Sequence, residues 1–226
     1  MTDGDSTDEA LRVAIYQRLA RTGAVGPLDD LGHEVGLEDG ALRAALQRLA
    51  AARHLVLDAA GEIVLAHPFA TRSFGFSVMG RDTLWWGGCA WDSFAIPHLV
   101  PDEPEVLVAT RCPACSAPLA WNVSRDAPPD GPGIAHFAVP MAQAWDDVVH
   151  TCSQQQVYCG PQCVAAVTAQ HPDSPGDTFD LATLWRLAAG WYDGRLSRAY
   201  RRREPAEAVE YFRAAGLRGR FWGLPD

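Results

Sequence analysis

Most of the chemistry available to this chain sits on six cysteines, all between positions 89 and 163. The first lies in Gly87-Gly88-Cys89-Ala90-Trp91-Asp92. A thiolate is a soft nucleophile and metal ligand. Residues three apart on a helix share a face, so Asp92 can join Cys89 in one site and carry a proton for it. The two glycines permit close backbone approach just ahead of the thiol. In isolation, Cys89 also reads as a small buried hydrophobe and Asp92 as a surface or capping residue, the commoner fate of a lone Cys-x-x-Asp.

The second candidate, Cys152, ends Asp147-Val148-Val149-His150-Thr151-Cys152. Its apolar pair suggests a strand within Val148–Tyr158. Strand alternation would put His150 and Cys152 on one face, where the imidazole could tune the thiol. The other four cysteines form two close pairs, Cys112-Pro113-Ala114-Cys115 and Cys159-Gly160-Pro161-Gln162-Cys163. Each pair can chelate from one turn, and four thiolates can close a tetrahedral zinc site. Reduced core cysteines or an adventitious disulfide are the alternatives. Trp85, Trp86 and Trp91 could wall an apolar pocket or simply pack the core. His136 falls in an expected strand, where a core or edge role is the ordinary one.

Helical spacing of Leu11, Ile15 and Leu19 predicts a helix over Asp8–Arg21, behind a polar lead expected to fray. Two more helices fit Leu28–Val35 and Glu38–Arg53. The segments His54–Leu57 and Glu62–Leu65 around a turn read as a β-hairpin. Three helices followed by a hairpin make a winged-helix-like outline for residues 1–67. Its sharp reading is DNA binding with the third helix as reader. The charge opposes that: residues 1–66 hold six arginines against eleven acids, and the third helix opens on Glu38 and Asp39. A structural role is the expectation.

Residues 68–226 read as a mixed α+β domain. Strands are expected at Phe74–Val78, Glu105–Thr110, Leu119–Val123 and Ile134–Val139, with a Pro/Gly-rich loop over Ser124–Gly133. The Trp-rich stretch Asp82–Ile96 ends at Pro97. Helices are expected from Cys163 and over Leu181–Ala189 and Pro205–Ala215.

The chain has 226 residues, 48% hydrophobic and 21% charged, as a packed globular protein does. No run of about 18 apolar residues exists, so no membrane span is expected. The acidic N-terminus does not resemble a secretory signal, and a cytoplasmic protein is the default. In such a reducing compartment six cysteines suit metal binding or thiolate chemistry better than a disulfide scaffold. The net charge of −9 disfavours nucleic acid as partner. Residues 195–220 are locally basic, with eight arginines against three acids, a pattern typical of a solvated face.

Trp86-Gly87-Gly88-Cys89-Ala90-Trp91-Asp92, followed by Pro97, resembles the catalytic Cys-Ala-x-Asp segment of the organomercurial (alkylmercury) lyases. The resemblance continues at Arg111-Cys112, Ala117-Pro118 and His136-Phe137 to Pro140. It then reaches Asp147 to Cys152, where Cys152 falls at the family's second active-site cysteine. Gly190-Trp191-Tyr192, Gly216-Leu217 and Phe221-Trp222 are similar to divergent members. The family also carries a winged-helix-like N-terminal part ahead of its mixed-sheet catalytic domain.

The resemblance implies Cys89 and Cys152 as the mercury-holding pair and Asp92 as the proton shuttle. Trp86, Trp91 and His150 are then expected against the substrate. It implies no organic cofactor. Hg(II) would stay on the thiols as product until free thiols or a mercuric-ion acceptor removed it. Two departures stand out. The family has one structural cysteine near Cys112, whereas Cys115, Cys159 and Cys163 are additional here. Its His-rich stretch reads Ser153-Gln154-Gln155-Gln156.

The leading expectation is therefore a lyase acting on a small organometallic or other small molecule. The alternative is a cysteine-rich soft-metal or zinc-binding protein of the same fold, without mercury lyase turnover or with another substrate. A metal-sensing winged-helix regulator is the third class, disfavoured by the acidic helix. The pairing of Cys89 with Asp92 favours the first, since holding a metal needs no proton donor.

Overall fold

A computed structural model describes residues 3–172, 175–198 and 200–225. Three helices open the chain: α1 (Asp3–Thr22), α2 (Leu28–Val35) and α3 (Asp39–Ala51). The helix α1 starts at Asp3, so most of the polar lead expected to fray is helical. Met1 and Thr2 lie outside the described residues. Gly36 ends α2 in the left-handed conformation (φ 71°), which glycine adopts without a steric cost. Leu11, Ile15 and Leu19 of α1 pack with Leu42, Ala45, Leu46 and Leu49 of α3.

The hairpin follows as β1 (Val56–Leu57) and β2 (Ile63–Ala66). Next come β3 (Phe69–Ala70), β4 (Phe76–Met79), β5 (Leu84–Gly87), helix α4 (Ala90–Leu99), β6 (Glu105–Arg111) and β7 (Pro118–Ser124). These seven strands form one antiparallel sheet in the order β1-β2-β3-β5-β4-β6-β7. Leu65 and Ala66 of β2 pair with Ala70 and Phe69 of β3. The division expected between residues 67 and 68 thus falls inside a continuous sheet. The hydrogen-bond ladder joins the first helices' hairpin to the rest of the chain.

The second half holds β8 (Ile134–Phe137), α5 (Val148–Ser153), β9 (Gln155–Tyr158), α6 (Pro161–Thr168), β10 (Asp177–Asp180), α7 (Leu181–Ala189) and α8 (Pro205–Ala215). A three-stranded antiparallel sheet runs β10-β8-β9. The fold is α+β, with antiparallel sheets. Among the described residues no helix is long and apolar enough to cross a membrane.

Two expectations need correction. The strand expected within Val148–Tyr158 is β9 at its end, whereas Val148–Ser153, read as extended, is a helix, because the Asp147 carboxylate accepts the His150 N–H at 2.9 Å and caps α5. The Trp-rich stretch does not end at Pro97 but continues as α4 to Leu99, with Pro97 inside the helix.

Helix α4 is the pivot of the packing. Every residue from Ala90 to Pro97 is buried, since strands of both sheets and α7 surround it. The strand–helix step from β5 into α4 is correspondingly tight. The Ser93 hydroxyl donates to the Cys89 carbonyl at 2.6 Å. A Cβ on Gly87 would stand 2.0 Å from Ser93 Oγ and 3.0 Å from its Cα. Gly87→Ala is therefore expected to cost about 1–3 kcal/mol, as overpacked core sites do, and to lower the urea midpoint. An unchanged midpoint would show that β5 and α4 separate freely.

Candidate active site

Cys89 sits at the N-cap of α4 rather than inside the helix, with extended backbone (φ −161°). Its Sγ accepts the Asp92 N–H at 3.4 Å and its thiol donates to Gln155 Oε1 at 3.0 Å. The i, i+3 pairing thus arises through capping geometry. Asp92, one turn on, is 1% exposed. A Cβ at Gly88 would come within 2.4 Å of Asp92 Oδ2, so only glycine lets this carboxylate fold back over the turn.

The Asp92 carboxylate is held from both sides. His67 Nδ1 lies 3.0 Å from Oδ2, and the Tyr192 hydroxyl donates to Oδ1. Arg195, itself buried, donates to the His67 carbonyl at 2.9 Å and lies over the Tyr16, Tyr192 and Tyr200 rings. Cys152, buried on α5, opens onto the same cavity as Cys89. One ligand atom each from His67, Asp92 and Cys152 lie within 4.8 Å of one another.

These groups line a cleft of about 410 Å³, within the usual range for a small-molecule site. Trp91, Met141, Trp145, Val148, Trp191 and Phe212 supply its apolar wall, with Arg53, Arg202 and Arg203 also on its lining. Two expected substrate contacts lie elsewhere. Trp86 points to the opposite face of β5 from buried Trp85 and lines a separate groove with Phe74 and Tyr158. His150 is exposed. Two residues along a helix turn about 200°, so His150 and Cys152 face opposite ways. Trp91 does line the cleft.

Burial pushes the Cys89 thiol well above its ordinary pKa, and neighbouring Cys152 and the negative charge of Asp92 add to this. Only the Asp92 N–H works the other way. Tyr192 is raised well above 10 by burial and by Asp92, so it stays a donor. Burial alone would lower His67, but the charges of Asp92 and Cys152 outweigh it and leave its pKa raised.

The MerB alkylmercury lyase profile matches residues 69–193. The chain belongs to the alkylmercury lyase family. No curated protein matches it. A crystal structure of the mercury-bound form of MerB2 superposes with a TM-score of 0.63 at 17% identity, covering 87% of this chain and 100% of that one. The likeness shows a shared fold.

Sequence reasoning missed four residues at the family member's site. His67 and Gln155 carry no motif, and each reaches the site only through a strand end. Arg195 lies in the locally basic segment read as a solvated face, yet it is buried beneath the cleft. In the sequence Tyr192 stands out only through the family resemblance of Gly190-Trp191-Tyr192. A buried donor for a buried acid was the available signal, since an unpaired carboxylate is costly. The four remaining cysteines lie together apart from this cleft, with all sulfurs within 4.8 Å.

The raised His67 pKa makes a stability prediction. A group whose pKa rises on folding stabilises fully below its unfolded value, about 6.5 for histidine, and less as pH climbs through the folded value. In urea titrations the advantage of the wild type over His67→Gln should be largest below about pH 6.5 and shrink above it. A difference constant across that range would show that the His67–Asp92 pair does not raise the imidazole.

Proposed function

We propose that this family member cleaves a carbon–mercury bond by protonolysis, with Cys89 and Cys152 taking the metal and Asp92 carrying the proton. One observation carries the reading: two buried thiols line one cleft with a carboxylate clamped by His67 and Tyr192. Holding mercury on two thiols requires no proton carrier, and the Asp92 carboxylate beside them can act as one.

The chemistry balances as follows. An organomercury cation, R–Hg⁺, bonds to one thiol sulfur, and that thiol's proton is released. The second thiol joins the metal and gives its proton to Asp92. Protonated Asp92 then delivers the proton to the carbon bound to mercury. The carbon–mercury electron pair becomes the new C–H bond and R–H leaves. Hg(II) remains across two sulfurs, one net proton has been released, and no oxidant or reductant is used. Mercury is soft, and two thiolates favour it strongly. Burial keeps Cys89 protonated until metal replaces the proton. The apolar wall accommodates the organic group. Free thiols, or a mercuric-ion acceptor, would complete the cycle by removing the product.

The first three helices and their hairpin serve, on this reading, as a wall of the cleft rather than a reader of DNA. Arg53, just after α3, lies on the cleft lining with its guanidinium over the Trp145 ring. The segment's acidic balance supports the same role.

Two variants test the assignment. Asp92→Asn keeps the thiols but cannot hold or deliver the proton. It should retain Hg(II) while losing roughly 100-fold or more of its turnover of a small organomercurial, followed as free hydrocarbon. Cys152→Ser should lose both turnover and tight Hg(II) retention. Wild-type rates in Asp92→Asn would remove Asp92 from the proton path. Wild-type rates in Cys152→Ser would remove the two-thiol mechanism.

A further inference from the structure

Outside the cleft, Cys112, Cys115, Cys159 and Cys163 bring one sulfur each to within 4.8 Å of the others, and all four are free thiols. The Cys115 and Cys159 sulfurs are 3.6 Å apart. A disulfide requires about 2.05 Å. Four sulfurs placed tetrahedrally at about 2.3 Å from a zinc ion stand about 3.8 Å apart. The observed spacing matches the second arrangement.

The local backbone is shaped to aim the thiols together. Cys112–Ala117 form the turn between β6 and β7. Within it the Cys112 N–H donates to the Ala117 carbonyl at 2.9 Å and the Ser116 N–H to the Cys112 carbonyl at 2.8 Å. Ser116 has φ 61°, a left-handed conformation that a residue with a side chain rarely adopts. It lets the chain reverse immediately after Cys115, so that both thiols of the pair leave the turn together. The second pair spans the corner from β9 into α6. Cys159 follows the last residue of β9, and Cys163 lies in the first turn of α6, whose N–H donates to the Gly160 carbonyl at 3.1 Å.

We propose that these four cysteines bind one zinc ion as a closed, tetrahedral structural site. Zinc replaces four thiol protons, which pass to solvent, and no redox change occurs. With all four positions filled by protein sulfur, the site has no place for substrate. The ion ties the β6–β7 turn of the large sheet to β9 of the small one. Strand β9 begins at Gln155, the acceptor for the Cys89 thiol, three residues after Cys152. The zinc thereby fixes the strand whose first residue accepts the Cys89 thiol and which follows closely on Cys152. It does so without entering their chemistry.

The test uses the full chain, purified reduced and without chelator, with zinc as the probe. Elemental analysis should give about one zinc per chain, and X-ray absorption should show four sulfurs at about 2.3 Å. The Cys115→Ser/Cys163→Ser variant should lose the metal. Cys89→Ser should keep it, which separates this proposal from the carbon–mercury reading: neither measurement involves an organomercurial. Metal-free protein that takes up no added zinc would overturn the proposal. So would nitrogen or oxygen ligands, a Cys115–Cys159 disulfide, full zinc content in the double variant, or zinc lost with Cys89. Because the wild-type measurements decide the matter alone, misfolding of the double variant does not blur it.

Discussion

A carboxylate with 1% of its surface exposed must be provided for, and the arrangement around Asp92 organises much of this protein. Its two oxygens are met by His67, from the end of β2, and Tyr192, from the turn after α7. Those elements lie far apart in sequence. They converge because α4, which carries Asp92, is buried among both sheets and α7. Arg195 extends the network by donating to the His67 carbonyl. Truncating either donor therefore leaves the acid under-satisfied rather than simply removing a contact.

The same network ties the first helices to the cleft. Arg12 of α1 is fully buried. It pairs with Glu9 at 2.7 Å and donates to the carbonyls of Arg195 and Ser197 at 2.7 and 2.6 Å. Tyr16 lies under the Arg195 guanidinium, and its hydroxyl donates to the His54 carbonyl at 2.6 Å. Trp85 donates to the carbonyls of Leu19 and Ala20. A domain free to move on a linker would not bury its polar groups against the other half in this way. The shared seven-stranded sheet gives the same result through backbone hydrogen bonds.

What could be read from the sequence follows physical range. The helices Leu181–Ala189 and Pro205–Ala215 match their expected bounds, because an Asp or Glu cap and an amphipathic stripe are local properties. Helix α4 escaped because a helix buried all round has no polar face to give it a period. The two-residue strand β3 is defined by its partners rather than by its own pattern. Within Val148–Tyr158 a strand is present at Gln155–Tyr158, but two β-branched residues mask the capping Asp147, so Val148–Cys152 reads as extended where it is helical and His150 reads onto the wrong face. Cys89, Asp92 and Cys152 were legible as reactive types. Their donors were not, since His67, Gln155, Tyr192 and Arg195 acquire their roles only through contacts between distant segments.

The two groups of thiols differ in what surrounds them, and the difference bears on how one chain can keep two soft sites apart. Cys89 and Cys152 line an open cleft beside a proton-carrying acid, with two sulfurs and room for an organic group. Cys112, Cys115, Cys159 and Cys163 have no such cleft and meet as four sulfurs on two turns. A ligand set already complete with protein sulfur leaves no open position on its metal, whereas a two-sulfur site leaves its metal open to incoming thiols. In the zinc site proposed here the four sulfurs share one metal and present no free thiol to the cleft. That arrangement would leave the pair beside Asp92 as the exchangeable thiols, so that mercury is held where a proton can be delivered to its carbon.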